Sequence, residues 1–382
     1  MIIKNAKVFS PEGKFVDQEI YIKDGIFTDR KPEGDQEVID ASGCYAIPGL
    51  TDIHFHGCVG SDFCDGTEEA ISTMAKYEAS IGVTTMCPAT MTLSQEQLMK
   101  IMTAAKGFKE KQNQNSEAYP KCASLVGINM EGPFISKEKK GAQNEKYIMQ
   151  CNEEVFDKLN QASGNLVKLI DIAPEEPNAM EFIKAKKDEV VISLAHTCAD
   201  YETAKEAFDN GANHMTHLYN AMKPFTHRAP GPVGAAADDD RVQAELICDG
   251  IHIHGAVVRT TFKMFGDDRI ILISDSMMAT GLDDGDYALG GQPVKVVGNL
   301  ATLKDGTIAG SATNLMDCIR VAVQKMNVPL ESAIKCAAVN SAKCIGIYDQ
   351  YGSIESGKVA NVVLLNQKDL KLNKVILRGS QI

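Results

Sequence analysis

At 382 residues the chain exceeds one ordinary domain, and its 44% hydrophobic and 24% charged content describe a globular protein. A net charge of −12 and a pI near 5.2 argue against a nucleic-acid or anionic-membrane surface, so an anionic ligand needs a locally basic pocket. The 11 cysteines are an odd number without a Cys-x-x-Cys pair, which points to reduced thiols and not to a disulfide framework. The opening Met1-Ile2-Ile3-Lys4-Asn5 reads as a strand without the apolar core of a signal peptide. With no apolar run long enough to span a membrane, the expected location is cytoplasmic.

Residues 1–49 read as β structure, with short strands at 8–9, 19–22 and 38–40 broken by turns at Pro11-Glu12-Gly13 and Lys23-Asp24-Gly25. Strands at 362–365 and 374–377 resemble them. Neither end holds enough core alone, so residues 1–49 and 353–382 are expected to pair as a small β-sandwich domain around a larger unit, 50–352.

Within 50–352, strand one is Leu50-Thr51-Asp52-Ile53-His54-Phe55-His56-Gly57, emerging from the Ile47-Pro48-Gly49 turn. A helix follows near 67–81, then strand two at 82–87. Ser94 caps a helix to Phe108, with Gln97 at the capping-box position, and 109–120 reads as a polar loop. Strands three to eight fall at 123–130, 166–173, 190–195, 212–216, 242–248 and 270–274. Helices near 152–161, 177–187, 201–210 and 256–265 fill most gaps. This α/β alternation, lacking a Gly-rich phosphate loop after its first strand, predicts a (β/α)8 TIM-like barrel rather than a doubly wound sheet.

Six candidate site residues fall at strand ends: His54 and His56 (one), Glu131 (three), His196 (five), His217 (six) and Asp275 (eight). Strand alternation turns His54 and His56 the same way, and Gly57 beside them admits a second segment or a substrate. Each residue alone has an ordinary explanation, such as a turn cap or a core histidine. Together, on the face where barrel strands end, they predict a site for zinc, iron or manganese. Such an ion lowers the pKa of bound water, and Asp275 is the candidate carboxylate to take its proton. Arg228 offers a planar fork suited to phosphate, with His252 a second donor, although a surface arginine in a Pro/Gly loop is the simpler reading of that residue by itself.

The run Pro48-Gly49-Leu50-Thr51-Asp52-Ile53-His54-Phe55-His56-Gly57 resembles the amidohydrolase superfamily. Five segments narrow the resemblance to its N-acetylglucosamine-6-phosphate deacetylase family. They are Asn129-Met130-Glu131-Gly132-Pro133-Phe134, His217-Leu218-Tyr219-Asn220-Ala221-Met222, Asp249-Gly250-Ile251-His252, the run from Ser274 to Gly281, and Ile308-Ala309-Gly310-Ser311-Ala312. The resemblance implies metal-dependent removal of acetate from a sugar phosphate. Glu131, His196 and His217 match the main metal ligands, Asp275 the catalytic carboxylate, and His54 and His56 a pair that allows a second ion. Asn220, Ala221, Arg228 and His252 match sugar-phosphate contacts, while Ala142, Ile308, Ala309 and Gly310 match positions lining the sugar. It also implies a homodimer. One departure stands out: Gln143 occupies a position where the family commonly has a histidine that polarises the acetyl carbonyl. Two other readings share parts of this pattern: an amidohydrolase acting on a cyclic amide or aminated base, and a non-catalytic scaffold.

Overall fold

The strand Val362–Asn366 is buried on both faces, and its two sets of side chains enter different cores. Val362 and Leu364 pack with Ile3, Val8, Ile22 and Phe27 from the N-terminal strands. Val363 and Leu365 point the other way, into the main core. This strand pairs antiparallel with Cys44–Pro48, placing Leu364 opposite Ala46, so the two chain ends share one sheet. That sheet has six strands, running from Ser380–Gln381 through Leu372–Leu377 and Val362–Asn366 to Cys44–Pro48, Lys7–Phe9 and Phe15–Asp17. A second, four-stranded sheet is built from N-terminal residues alone. The structure is a computed structural model and describes residues 1–114, 119 and 121–382.

Between these ends the two main sheets are parallel. β1 (Leu50–Asp52), β2 (Val83–Met86) and β3 (Ser124–Leu125) form one sheet, with β2 central. β4 (Ile128–Phe134), β5 (Val167–Ile172), β6 (Val191–Leu194), β7 (His214–Met215), β8 (Gln243–Ile247) and β9 (Ile270–Ile273) form the other, in chain order. The third strand expected from sequence is thus two pieces, β3 and β4, interrupted at Val126-Gly127. Hydrogen bonds cross between the two sheets at both margins. Asn129 N donates to Pro88 O at 3.0 Å, and Thr90 N to Asn129 O at 2.9 Å. At the other margin Asp275 N donates to His54 O at 2.9 Å, and His56 N to Ser276 O at 2.7 Å.

Side-chain caps mark several helix starts. Thr67 accepts from Ala70 N ahead of Glu68–Ser80, and Asn152 from Val155 N ahead of Glu153–Ala162. Ser94 and Gln97 form the expected capping box, each side chain accepting from the other's backbone N–H at 3.3 Å. The helix they start runs to Gln114 and not to Phe108, so residues 109–114, expected as loop, are helical. Lysine, glutamate and glutamine there are good helix formers. Gln112 is buried and bridges Ala123 O and Leu125 N, which anchors that last turn to β3. The rest of the expected loop, 115–118 and 120, lies outside the described residues. After β9 an antiparallel sheet intervenes (Gly285–Leu289, Gln292–Val297, Leu300–Thr302), which the sequence reading left unassigned, as it did the helix Leu315–Gln324.

Strand one is shorter than expected. β1 ends at Asp52, and His54 and His56 sit beyond it, where bonds to residues 275 and 276 hold the chain extended. Gly57 follows because nothing larger fits: a Cβ there would lie 2.3 Å from Ser61 O and 3.1 Å from Met278 N. Both are backbone atoms and cannot swing aside. Gly57→Ala should therefore lower the unfolding free energy by about 1–3 kcal/mol or more. Equal urea midpoints for variant and parent would contradict this packing argument.

Candidate active site

The candidate residues meet at the C-terminal ends of the parallel strands. Glu131 lies within β4 and not at its end, while His196, His217 and Asp275 each lie two residues beyond β6, β7 and β9. Those three have positive backbone φ, 44°, 29° and 48° respectively. Non-glycine residues avoid that region, at a cost on the order of 1–3 kcal/mol each. The conformation turns each side chain inward at the point where a strand would otherwise carry it past the site.

The geometry centres on Glu131. Its Oε1 is 3.0 Å from His196 Nε2 and 3.2 Å from His217 Nε2, and those two nitrogens are 3.2 Å apart. His56 Nε2 lies 3.3 Å from Glu131 Oε2 and 3.2 Å from Asp275 Oδ1. His54 Nε2 is 3.7 Å from Glu131 and 3.8 Å from Asp275, with no hydrogen-bond partner. All six residues are buried.

The partners on the far side of each ring fix what faces inward. Lys139 O can only accept, so His196 Nδ1 donates to it at 2.8 Å. Glu245 accepts likewise from His54 Nδ1 at 2.9 Å. In the neutral rings the inward Nε2 atoms of His196 and His54 therefore carry lone pairs, aimed at carboxylate oxygens. Lone pairs facing carboxylates in a buried site repel unless a cation lies between them. The ionisation tendencies show the same demand for positive charge between these groups, which a proton on His54 can meet in place of a cation. Burial opposes charge on His54, yet Glu245, Glu131 and Asp275 hold its pKa well above the usual imidazole range. Burial also opposes ionisation of Glu131, but hydrogen bonds to His196 and His217 keep it well below the usual carboxylate range. Asp275 is lowered too, by His56 and His54 against its burial. The donor set fits a divalent cation: Glu131 with His196 and His217 form one possible ligand group, and Glu131 with His54 and His56 a second.

Beneath the site lies a buried polar chain that sequence reasoning missed in part. Glu245 of β8 accepts from both His54 Nδ1 and, at 3.1 Å, the backbone N–H of His217, bracing both groups at once. A glutamate inside the apolar run Ala244-Glu245-Leu246-Ile247 was the available signal. His214, given no role from sequence, bonds through Nδ1 to Ser193 Oγ at 2.9 Å. Ser193 and Thr216 share a 2.6 Å hydrogen bond, and Thr216 donates to Asp171 at 2.7 Å. At β1, Asp52 accepts from His54 N and Ser274 Oγ, and burial pushes its pKa up to about 7.

Above the site opens a cavity of about 540 Å³. His56, Glu131, His196, His217 and Asp275 line its floor, and Ala142, Asn220, Ala221, His252, Ile308 and Gly310 line its walls. Of the residues matched to sugar-phosphate contacts, Arg228 is not on that lining, and of those matched to the sugar's surroundings, Ala309 is not. Ala309 is wholly buried, and Arg228 lies exposed on the 223–229 loop. Three cations absent from the sequence reading, Lys137, Lys139 and Lys140, line the wall with Gln143. His252 Nδ1 bonds Asp249 at 2.7 Å, and although burial opposes its charge, Asp249 raises its pKa.

Residues 45–382 match the amidohydrolase family, and the chain belongs to it. The particular relatives narrow this further. The chain is 36% identical over 386 residues to the N-acetylglucosamine-6-phosphate deacetylase of Bacillus subtilis, covering 100% of this chain and 96% of the relative. Among solved structures, that of the Thermotoga maritima N-acetylglucosamine-6-phosphate deacetylase superposes with a TM-score of 0.88 at 31% identity, covering 100% and 99% of the two chains. A mutant of the Mycobacterium smegmatis N-acetyl-D-glucosamine-6-phosphate deacetylase, in complex with N-acetyl-D-glucosamine-6-phosphate, gives 0.90 at 28%, covering 100% and 98%.

Glu245→Gln should weaken divalent-ion binding about 10–100-fold, because an amide holds His54 in the required tautomer less firmly than a carboxylate. Titration of metal-free protein with zinc reads this directly, and unchanged affinity would remove Glu245 from the bracing role.

Proposed function

We propose that this protein hydrolyses the N-acetyl group of N-acetylglucosamine 6-phosphate, giving glucosamine 6-phosphate and acetate. The observation that carries the reading is the convergence of Glu131, His196, His217 and Asp275 on the floor of a cavity whose walls bring cations. In a chain of net charge −12, Lys137, Lys139 and Lys140, together with a His252 whose pKa is raised, bring cations to the lining that an anionic sugar needs, beside Glu138 and Asp305 of the same lining. The full-length relatives carry the same activity in their names.

Glu131, His196 and His217 would hold one divalent ion, with His54 and His56 able to join Glu131 around a second. When bound, such an ion supplies Lewis acidity towards the carbonyl and lowers the pKa of water. Asp275 accepts the proton of the attacking water and returns it to the amine as the C–N bond breaks. Its lowered pKa keeps it ionised and ready to accept. His252 and the wall lysines hold the phosphate, while Ala142, Ile308 and Gly310 shape the sugar's place.

The same reading carries the architecture and assembly. The two parallel sheets, joined at both margins by backbone hydrogen bonds, are arcs of one (β/α)8 barrel spanning 50–352, with 1–49 and 353–382 as the small β-sandwich domain. A homodimer accounts for Arg228, which is exposed beside the half-exposed Phe225 and is free to serve a neighbouring copy's cavity. Free thiols at all 11 cysteines support a cytoplasmic location, and among the described residues no helix is long and apolar enough to cross a membrane.

The test is acetate release from N-acetylglucosamine 6-phosphate against unphosphorylated N-acetylglucosamine, with zinc supplied. A strong preference for the phosphorylated sugar is expected. Equal or absent activity on both would favour another amidohydrolase substrate, such as a cyclic amide. Asp275→Asn should bind metal and substrate yet lose about 100- to 10,000-fold in kcat, and retained turnover would remove Asp275 from catalysis. Prolonged dialysis against a chelator should abolish activity and zinc should restore it; a chelated protein as active as the parent would sink the metal-dependent reading.

A further inference from the structure

Gln143 stands where the family resemblance leads one to expect a carbonyl-polarising histidine, yet both ends of its amide are engaged within the protein. The side chain is 2% exposed. Its Oε1 accepts the backbone N–H of Thr92 at 2.7 Å, and its Nε2 donates to Glu131 Oε2 at 2.6 Å. The orientation of the amide follows from its partners: a backbone N–H can only donate and an ionised carboxylate can only accept. With Oε2 of Glu131 held this way, Oε1 is the oxygen presented to His196 and His217. The other end of the same wall is tied to the same group, because Lys139 O accepts from His196 Nδ1. Residues 139–143 are thus fastened at both ends to two of the candidate ligands, with the cavity-lining Ala142 between them and its carbonyl held by Gln292.

We infer that Gln143 is a positioning residue for Glu131: it fixes which carboxylate oxygen faces the metal, and couples ion binding to the cavity wall that meets the sugar. The inference rests on the metal-dependent reading above. Gln143 Nε2 has a second hydrogen that could reach a substrate carbonyl, and the two roles differ in what they do to ion affinity. A positioning residue acts on the ion before substrate arrives. A polarising residue acts only on the reacting carbonyl.

The experiment uses the full chain, metal-stripped and titrated with zinc against a chromophoric chelator, followed by kcat and KM at saturating zinc. For Gln143→Leu the zinc affinity should fall about tenfold or more, KM should rise as the wall loosens, and kcat at saturating zinc should stay within a few-fold of the parent. Unchanged zinc affinity with kcat down about 100-fold would overturn the inference and assign Gln143 to the carbonyl. Gln143→Met, close in volume and shape, replaces the leucine variant if that protein does not fold. A parent protein that binds no zinc would overturn the metal reading itself, whereas a parent that binds it as tightly as both variants do overturns only the role of Gln143.

Discussion

The fold is constrained by the need to bury carboxylates and imidazoles together without leaving any charge uncompensated. Glu131 is 3% exposed and has His196, His217, His56 and Gln143 around its two oxygens. An isolated carboxylate so placed would cost several kcal/mol and would protonate instead. The surrounding rings prevent that, and they are in turn held by Glu245, Lys139 O and the backbone at residue 275. Each group's position is therefore a condition for its neighbour's charge state. The parallel strands matter to function chiefly because they deliver these side chains from five separate stretches of chain to one point.

That delivery is achieved against local backbone preference. His196, His217 and Asp275 all leave their strands in the left-handed region, as do Tyr219 and Ala221 nearby. Backbone strain concentrated at a site is held there by the structure around it. Here the restraints can be named. Asp275 N bonds His54 O, Ser311 N bonds Asp275 O, and Thr197 N bonds Ala221 O. The antiparallel insertion after β9 contributes as well, since Gln292 reaches from it to the carbonyl of Ala142 in the cavity wall. The elements least visible in the sequence thus help hold the wall that a substrate would meet.

Electrostatically the molecule separates into two regimes. Its surface is acidic overall, with 51 acidic against 39 basic residues. The cavity lining gathers Lys137, Lys139 and Lys140 on one stretch with Glu138, and also carries Asp305 and Thr307. Those lysines are cations that an anion entering the cavity would meet.

Much of this was legible in the sequence because it depends on local rules. Period-two and period-3.6 patterns located most strands and helices, Ser94 with Gln97 marked a helix start, and residue type with position singled out the six polar groups, although Glu131 lies inside its strand. What sequence could not supply was any relation that depends on two distant segments meeting. The helical extension to Gln114 is fixed by Gln112 bonding β3, and the bracing of His54 by Glu245 spans 191 positions of chain. The burial of Gln143 against Glu131 and the exposure of Arg228 are likewise decided by three-dimensional neighbours. The sequence alone determined which chemical groups are present and which strand ends they follow, since side-chain chemistry and backbone periodicity are local. Tertiary structure alone decided which nitrogen of each imidazole faces inward, which oxygen of Glu131 faces His196 and His217 and which cations reach the cavity, because those depend on partners that only folding brings within hydrogen-bonding distance.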